Sequence, residues 1–181
     1  MSAAERFDQL GFFKYAGPGA GQQLRLEVES DPISAVFSLD SNRYFFADAE
    51  DLAEGGVADL LGDMEAALEQ IGVSGLALDE EFSETRYSIT VNDVSYAIWL
   101  PHELQDDLLW GYAASRTVMM LNDLLERVGS AEHAYGCLGG NDFGIFLLTP
   151  ELRDAVAEVI GDPQQSPYAV TREPPNFGFP A

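Results

Sequence analysis

The residues best suited to covalent chemistry lie close together, between positions 133 and 142. Cys137 carries a nucleophilic thiol, and His133 or His102 carries the imidazole of a general base. Asn141 has the amide that orients the imidazole in Cys-His-Asn hydrolases, and Asp142 follows it in the same glycine-rich turn. The competing interpretation is that Cys137 lies in an apolar strand, where cysteine behaves as a small buried hydrophobe. The alternative function, a small hydrolase or ligand-binding enzyme, therefore has a predicted pocket at His133, Cys137, Asn141 and Asp142.

Metal and cofactor motifs are missing from the sequence. Two histidines and one cysteine are too few for a zinc site, and neither H-E-x-x-H nor C-x-x-C occurs. Asp40-Ser41-Asn42 and Asp79-Glu80-Glu81 supply oxygen ligands without the spacing of a calcium loop. The glycines of Gly17–Gly21 lack the G-K-[ST] ending of a phosphate loop, so we predict a connecting loop there. We predict no metal and no cofactor.

Charge is the strongest signal in the chain, which has 31 acidic and 9 basic residues and a formal net charge of −22. Such a protein repels the phosphates of nucleic acids and of anionic membranes, so we expect it to bind neither. Three interpretations of the excess stay open. The acids form a solvated surface, they adapt the protein to high salt, or they form a docking face for a basic protein.

The acidic residues are concentrated between Asp48 and Glu69, a stretch without lysine or arginine. On a predicted helix, Asp59/Asp63 and Glu65/Glu69 are like-charge pairs four residues apart, each costing about 0.2–0.5 kcal/mol. A helix that carries this cost without a local counter-ion is either a screened solvent face or one side of an interface. The residues that we predict to contact a partner are Asp51, Glu54, Asp59, Asp63, Glu65 and Glu69.

The charge pattern and the lack of catalytic motifs together predict a non-enzymatic protein that binds a basic protein partner. The most concrete form of this hypothesis is an inhibitor or immunity-type partner of a basic protein such as a nuclease toxin. The N-terminus has no apolar signal-peptide stretch, and a single cysteine excludes an internal disulfide framework. We therefore expect a cytoplasmic protein.

Helices are predicted from apolar residues that recur at steps of three and four. The longest runs over about Asp107–Val128, and a second over Val57–Ile71 ends at Gly72. A third follows the Thr149-Pro150-Glu151 start and ends at Gly161, and a short N-terminal helix opens with a capping box of Ser2 and Glu5.

Strands are predicted from alternating apolar residues bounded by turn residues. The clearest are two hairpins, Arg86–Val91 with Val94–Leu100 and Ala134–Leu138 with Phe143–Leu148. Further strands are predicted at Leu24–Val28, Ile33–Phe37 and Arg43–Phe46, and Leu76–Phe82 fits either a strand or a loop.

Hairpins outnumber strand–helix–strand units in this order of elements. That pattern predicts an α+β fold with a mainly antiparallel sheet and helices packed on it. We predict one domain over residues 1–161, followed by a proline-rich C-terminal tail over residues 162–181. Tyr168, Phe177 and Phe179 would attach this tail to the domain, with a disordered tail or a partner-binding peptide as the alternatives.

Overall fold

The computed structural model describes residues 2–17, 19–105 and 107–173 of the chain. Within these ranges every strand pairing is antiparallel, and helices cover the sheets, so the predicted α+β fold is confirmed. The helices are α1 (Ala3–Gln9), α2 (Ala20–Ser30), α3 (Pro32–Val36), α4 (Ala49–Ala53), α5 (Val57–Ile71), α6 (Leu109–Arg127) and α7 (Pro150–Ile160).

The strands form two sheets of three strands each. The strands are β1 (Tyr44–Phe46), β2 (Leu78–Ser83), β3 (Arg86–Val91), β4 (Val94–Trp99), β5 (His133–Cys137) and β6 (Gly144–Leu148). Sheet A has the order β1-β6-β5, and sheet B has the order β2-β3-β4. Both predicted hairpins, β3–β4 and β5–β6, are confirmed, and the ambiguous segment before them is strand β2.

Sheet A separates two clusters of the hydrophobic core. Side chains of a strand alternate between its faces, and every residue of β6 is buried. Ile145 and Leu147 join a cluster with α4, α5, α6 and sheet B. Phe146 and Leu148 join a second cluster with α1, α2, α3 and α7. Burial on both faces explains why β6 is a continuous apolar run in the sequence.

The two helices predicted from the clearest apolar stripes, α5 and α6, are both confirmed. Helix α5 begins at Val57 and ends at Ile71, and Gly72 follows it in the left-handed conformation with φ 119°. Leu61, Met64 and Leu68 are fully buried at steps of three and four residues. This inward stripe fixes which face of α5 is turned to solvent.

The predicted strand over Leu24–Val28 is wrong, because these residues belong to α2. Leu24 and Val28 are buried, whereas Leu26 between them is 60% exposed. A spacing of four puts Leu24 and Val28 on one face of a helix, so the alternation that suggested a strand is incidental. Gly19, with φ 87°, precedes the first turn. Ala20 and Gly21, predicted as loop, are therefore helical.

The predicted strand over Ile33–Phe37 is also wrong, because helix α3 occupies this segment. The Asp31 side chain accepts a hydrogen bond from the Ser34 amide at 3.2 Å. Pro32 takes the first helical position, where its missing N–H needs no partner. The Asp31-Pro32 pair is therefore the start of a helix.

A buried ion pair ties β1 to the chain before β5. Arg43 is fully buried, and its guanidinium donates to the Glu132 carboxylate at 3.1 Å. It also donates to the carbonyl oxygens of Phe12 and Leu147, both at 2.8 Å. The Tyr15 hydroxyl donates to the other Glu132 oxygen at 3.0 Å. Both charges are therefore paired and hydrogen-bonded, which is the condition for burying them.

The chain after α7 contacts both sheet A and α6. Tyr168 and Gly136 exchange two backbone hydrogen bonds, of 3.0 and 2.8 Å. The Tyr168 ring fills the space that a Cβ atom on Gly136 would occupy. Glu173 accepts hydrogen bonds from Arg116 at 2.8 Å. The predicted division into a domain and a tail stays a prediction, and Phe177 and Phe179 lie outside the described residues.

Candidate functional site

Helices α4 and α5 carry the acidic stretch, and two polar side chains fix where they begin. Asp48 adopts φ 39° and caps α4 by accepting a hydrogen bond from the Glu50 amide at 3.0 Å. The first amide of α5, at Val57, donates to the Tyr87 hydroxyl of sheet B at 3.2 Å. The phenol thus satisfies a helix-terminal N–H that no local side chain caps.

The six predicted partner-contacting carboxylates are all exposed, on α4, at its C-cap and on α5, and we call this set the acidic surface. The apolar stripe of α5 faces the core, which turns the four acids of that helix to solvent. The acidic surface consists of Asp51, Glu54, Asp59, Asp63, Glu65 and Glu69.

On α5 the acids form two rows. At 3.6 residues per turn, Asp59 and Asp63 lie along one side of the exposed face, and Glu65 and Glu69 lie along the other. The exposed Gly62 and the exposed Ala66 lie between the rows. The two carboxylates of each row are therefore one helical turn apart, as the sequence predicts, and no basic residue lies between them.

None of the acids on the acidic surface forms an ion pair with another described residue. Seven arginines pair elsewhere on the described chain. The pairs are Arg6–Glu158, Arg25–Asp8, Arg43–Glu132, Arg86–Glu81, Arg116–Glu103, Arg127–Asp123 and Arg153–Asp154. The acidic surface therefore has no ion-pair partner among the described residues, while seven of the nine basic residues pair with other acids.

The acids between Asp48 and Glu69 differ in the contacts that they make with the rest of the chain. Glu50 accepts a hydrogen bond from the Asn141 side chain at 3.0 Å, which joins α4 to the turn between β5 and β6. The Asp51 carboxylate lies against the Cα of Gly56, where a Cβ atom would collide with it. Asp51 therefore combines exposure with a packing role, whereas Asp59, Asp63 and the two glutamates of α5 have no such contact.

A cleft of about 410 Å³ lies beside the acidic surface, and sequence reasoning missed it. Its lining includes an acid of α5 and two exposed apolar side chains, Leu39 at 61% and Phe46 at 53%. The described lining residues are Leu39, Asn42, Phe45, Phe46 and Asp63. Phe46 was predicted as part of a strand, but only the sheet order shows that this strand is at an edge.

The four residues of the alternative pocket do not converge. Cys137 is fully buried, and burial raises the pKa of its thiol to about 12, although a hydrogen bond from the Gly144 amide acts in the opposite direction. His133 is exposed at the other end of β5, about 13 Å along the strand. Asn141 and Asp142 are exposed in a turn, where Asn141 binds Glu50. The described residues thus bring the thiol no general base, and the enzyme alternative stays a prediction.

Three wider findings apply to the described chain as a whole. The described residues contain no group of three or more His, Cys, Asp or Glu side chains arranged to hold a metal ion. No helix in the described part of the chain is long and apolar enough to cross a membrane. Comparison of the chain with protein-family models, curated proteins and solved structures found no match.

Proposed function

We propose that this protein is a non-enzymatic binding protein whose partner is a basic protein held at the acidic surface. The supporting observation is that six exposed carboxylates carry no counter-ion from the described chain. Like charges at i and i+4 lower the stability of a helix, so their concentration on α5 has no structural benefit within the chain. A cationic surface on a partner would reverse that cost.

The most concrete form of this proposal is an inhibitor or immunity-type protein for a basic protein such as a nuclease toxin. A surface that binds nucleic acid carries lysine and arginine for the phosphates. Two rows of carboxylates on a rigid helix match such a surface in charge, and charge complementarity speeds association and excludes acidic competitors. We also propose that the protein acts in the cytoplasm, where a single buried thiol such as Cys137 stays reduced.

The test begins with affinity capture from a lysate of the source cells, washed through a series of salt concentrations. We expect one stoichiometric basic protein to survive about 150 mM salt, where the Debye length is about 8 Å. Its association rate is then measured at low salt with Asp59→Lys/Asp63→Lys. The double reversal should slow association by about tenfold or more, because steering depends on the summed field of the surface.

A control of equal charge change is available on α7, where Asp154 and Glu158 are also exposed acids four residues apart, each paired with an arginine. Helix α7 packs in the second core cluster, on the other side of sheet A. Asp154→Lys/Glu158→Lys changes the net charge equally and should leave most of the association rate intact. An equal loss in both double variants would mean that only total charge matters. A diffuse set of basic proteins lost on mild washing would also contradict the proposal.

A further inference from the structure

Strand β1 is an edge of sheet A, and part of its backbone faces away from β6. The Leu147 amide donates to the Arg43 carbonyl at 2.8 Å, and the Ala47 amide donates to the Phe143 carbonyl at 3.0 Å. In an antiparallel ladder such bonding positions alternate along the strand. Tyr44 and Phe46 fall between them, so their N–H and C=O groups point away from β6. Sheet A ends at β1 on this side.

This edge lacks the charges that usually protect an outer strand. Natural sheets guard their edges with very short strands, charged side chains, proline, bulges or a covering element, and β1 has only its length of three residues. Strand β2, one of the two outer strands of sheet B, is protected by Asp79, Glu80 and Glu81. Strand β1 reads Tyr-Phe-Phe without a charge, and Phe46 is 53% exposed beside the cleft. A short, uncharged edge beside an open cleft is suited to the addition of a strand.

The cleft that borders the edge has two unlike walls. Leu39, from the 3-10 turn before β1, supplies an exposed apolar wall, and Asp63 of α5 supplies a carboxylate. An extended peptide places alternate side chains on opposite sides. One set of side chains would therefore contact Leu39 and Phe46, while a cation would reach Asp63.

We propose that β1 receives an extended segment of the basic partner as a fourth, antiparallel or parallel strand of sheet A. This inference rests on the proposed function and adds the mode of binding to it. The incoming segment has an apolar side chain on Phe46 and a lysine or arginine paired with Asp63. Main-chain hydrogen bonds to Tyr44 and Phe46 supply affinity, and the alternating side chains supply specificity.

The negative charge beside the cleft favours a basic partner over a second copy of this chain as the occupant of the β1 edge. Two copies that paired through β1 would bring together the Asp63 carboxylates beside each cleft, in molecules whose formal net charge is −22. Like charges at an interface cost free energy and suppress that pairing. A basic segment has the opposite sign and is attracted to the same groove.

The experiment uses the full chain and a synthetic peptide of alternating lysine and valine. Two further peptides serve as controls: alternating glutamate and valine, and alternating lysine and glycine of equal charge. We expect only the lysine–valine peptide to bind and to slow hydrogen exchange of the Tyr44 and Phe46 amides. Exchange at these amides reports the added backbone hydrogen bonds directly.

Variants separate the aromatic contact from the edge hydrogen bonds. Phe46→Ser should weaken peptide binding about tenfold, as expected for an aromatic anchor. Phe82→Ser is the matched control, since Phe82 is 52% exposed on the outer strand of the other sheet, and it should bind like the original chain. Phe46→Pro should bind more weakly than Phe46→Ala, because proline removes the edge N–H and is tolerated on an edge strand.

The outcomes distinguish this inference from the proposed function. If Asp59→Lys/Asp63→Lys slows partner association but every Phe46 variant binds normally, strand addition is wrong and the acidic surface stands. No peptide binding, or binding without amide protection, also overturns strand addition. If the charge reversal itself has no effect, both proposals fall. A dimer of the chain alone that Phe46→Pro dissociates would identify a second copy as the occupant.

Discussion

Arg43 and Glu132 form the most deeply buried ion pair of the described chain, with side chains only 1% and 7% exposed. Arg43 also donates to the Gly11 carbonyl at 2.6 Å. Its guanidinium stacks over the Tyr15 ring at 4.5 Å. The whole side chain is therefore held by the main chain and by one aromatic face, with no water needed to satisfy it.

Replacing Arg43 by methionine should lower the free energy of unfolding by about 3–5 kcal/mol. The change leaves the Glu132 carboxylate buried without its counter-ion, which costs more than the pair itself contributes. Urea unfolding monitored by circular dichroism measures the loss. Arg127→Met is the control, because its pair with Asp123 is exposed and should contribute about 0.5 kcal/mol or less. Similar losses in the two variants would contradict the importance of burial.

Cys137 should resist alkylation in the folded protein. Burial raises its pKa from 9.0 to about 12, so at neutral pH the thiol stays protonated, and the thiolate is the reactive form. Iodoacetamide at about pH 8 should modify Cys137 only after denaturation, as read by mass spectrometry. Rapid modification of the folded chain would revive the enzyme alternative.

The same shift predicts a pH dependence of stability. Above about pH 9 the thiol of the unfolded chain ionises while the folded one does not, so the free energy of unfolding falls as pH rises through this range. Cys137→Ala should show a shallower fall between about pH 8 and pH 10. Equal slopes would mean that the thiol does not titrate differently in the two states.

At the scale of elements, α5 combines a well-packed apolar stripe that faces the core with an outer face whose like charges and interior glycine lower the stability of the helix. Gly62 lies inside the helix, and a Cβ atom built there meets nothing within 4 Å. Gly56, just before the helix, is instead crowded by Asp51. The two glycines near one helix therefore respond oppositely to the same substitution.

Gly62→Ala should raise the free energy of unfolding by about 0.5–1 kcal/mol, because alanine restricts the unfolded chain and favours the helix. Gly56→Ala should lower it by about 1–3 kcal/mol, because the added methyl group collides with the carbonyl and carboxylate of Asp51. Thermal and urea unfolding of the two variants measure whether the free energy of unfolding rises or falls in each. A loss of stability in Gly62→Ala would show that the outer face of α5 is covered.

Asp63→Lys should stabilise the isolated protein while weakening its complex. The substitution turns a repulsive pair with Asp59 into an attractive one, which adds about 0.5 kcal/mol to the free energy of unfolding. The same change should slow association with the captured partner. Opposite signs in the two measurements identify a residue kept for binding. A variant that loses stability and affinity together would indicate a structural role for Asp63.

The sequence was sufficient for elements whose signals are local. The stripe and terminal glycine of α5, and the Asn92-Asp93 turn with φ 48° and 67° between β3 and β4, mark their elements directly. Helix α2 was missed because Leu24 and Val28 fit a helix and a strand equally until the exposure of Leu26 is known. Short segments leave that ambiguity of period unresolved.

The candidate site also has one part that local sequence signals predict and one part that they do not. Exposure of the four acids on α5 follows from the helical period, so their position on the outer face of the helix was predictable from the sequence. The cleft required two tertiary facts, that β1 pairs with β6 alone and that the turn at Leu39 lies beside it. Neither fact has a local signal, because the pairing joins Phe46 to Gly144 across most of the chain.

At the scale of the whole molecule, the net charge of −22 makes stability depend on ionic strength. Repulsion among uncompensated carboxylates opposes the compact state, and salt screens it. The melting temperature should rise with sodium chloride and level off by about 0.5 M, where the Debye length is only a few ångströms. A rise that continues steeply toward molar salt would favour adaptation to a saline environment. Asp59→Lys/Asp63→Lys should reduce the initial slope.

The long-range closure of sheet A also governs how the chain folds as it is synthesised. The Leu147 amide donates to the carbonyl of Arg43, which lies next to β1 and 104 positions earlier in the chain. The ladder of β1 therefore has no partner until β6 has left the ribosome. Sheet B, contiguous from Leu78 to Trp99, closes without it. We expect sheet B to form first, and the N-terminal strand to wait for nearly the whole nascent chain.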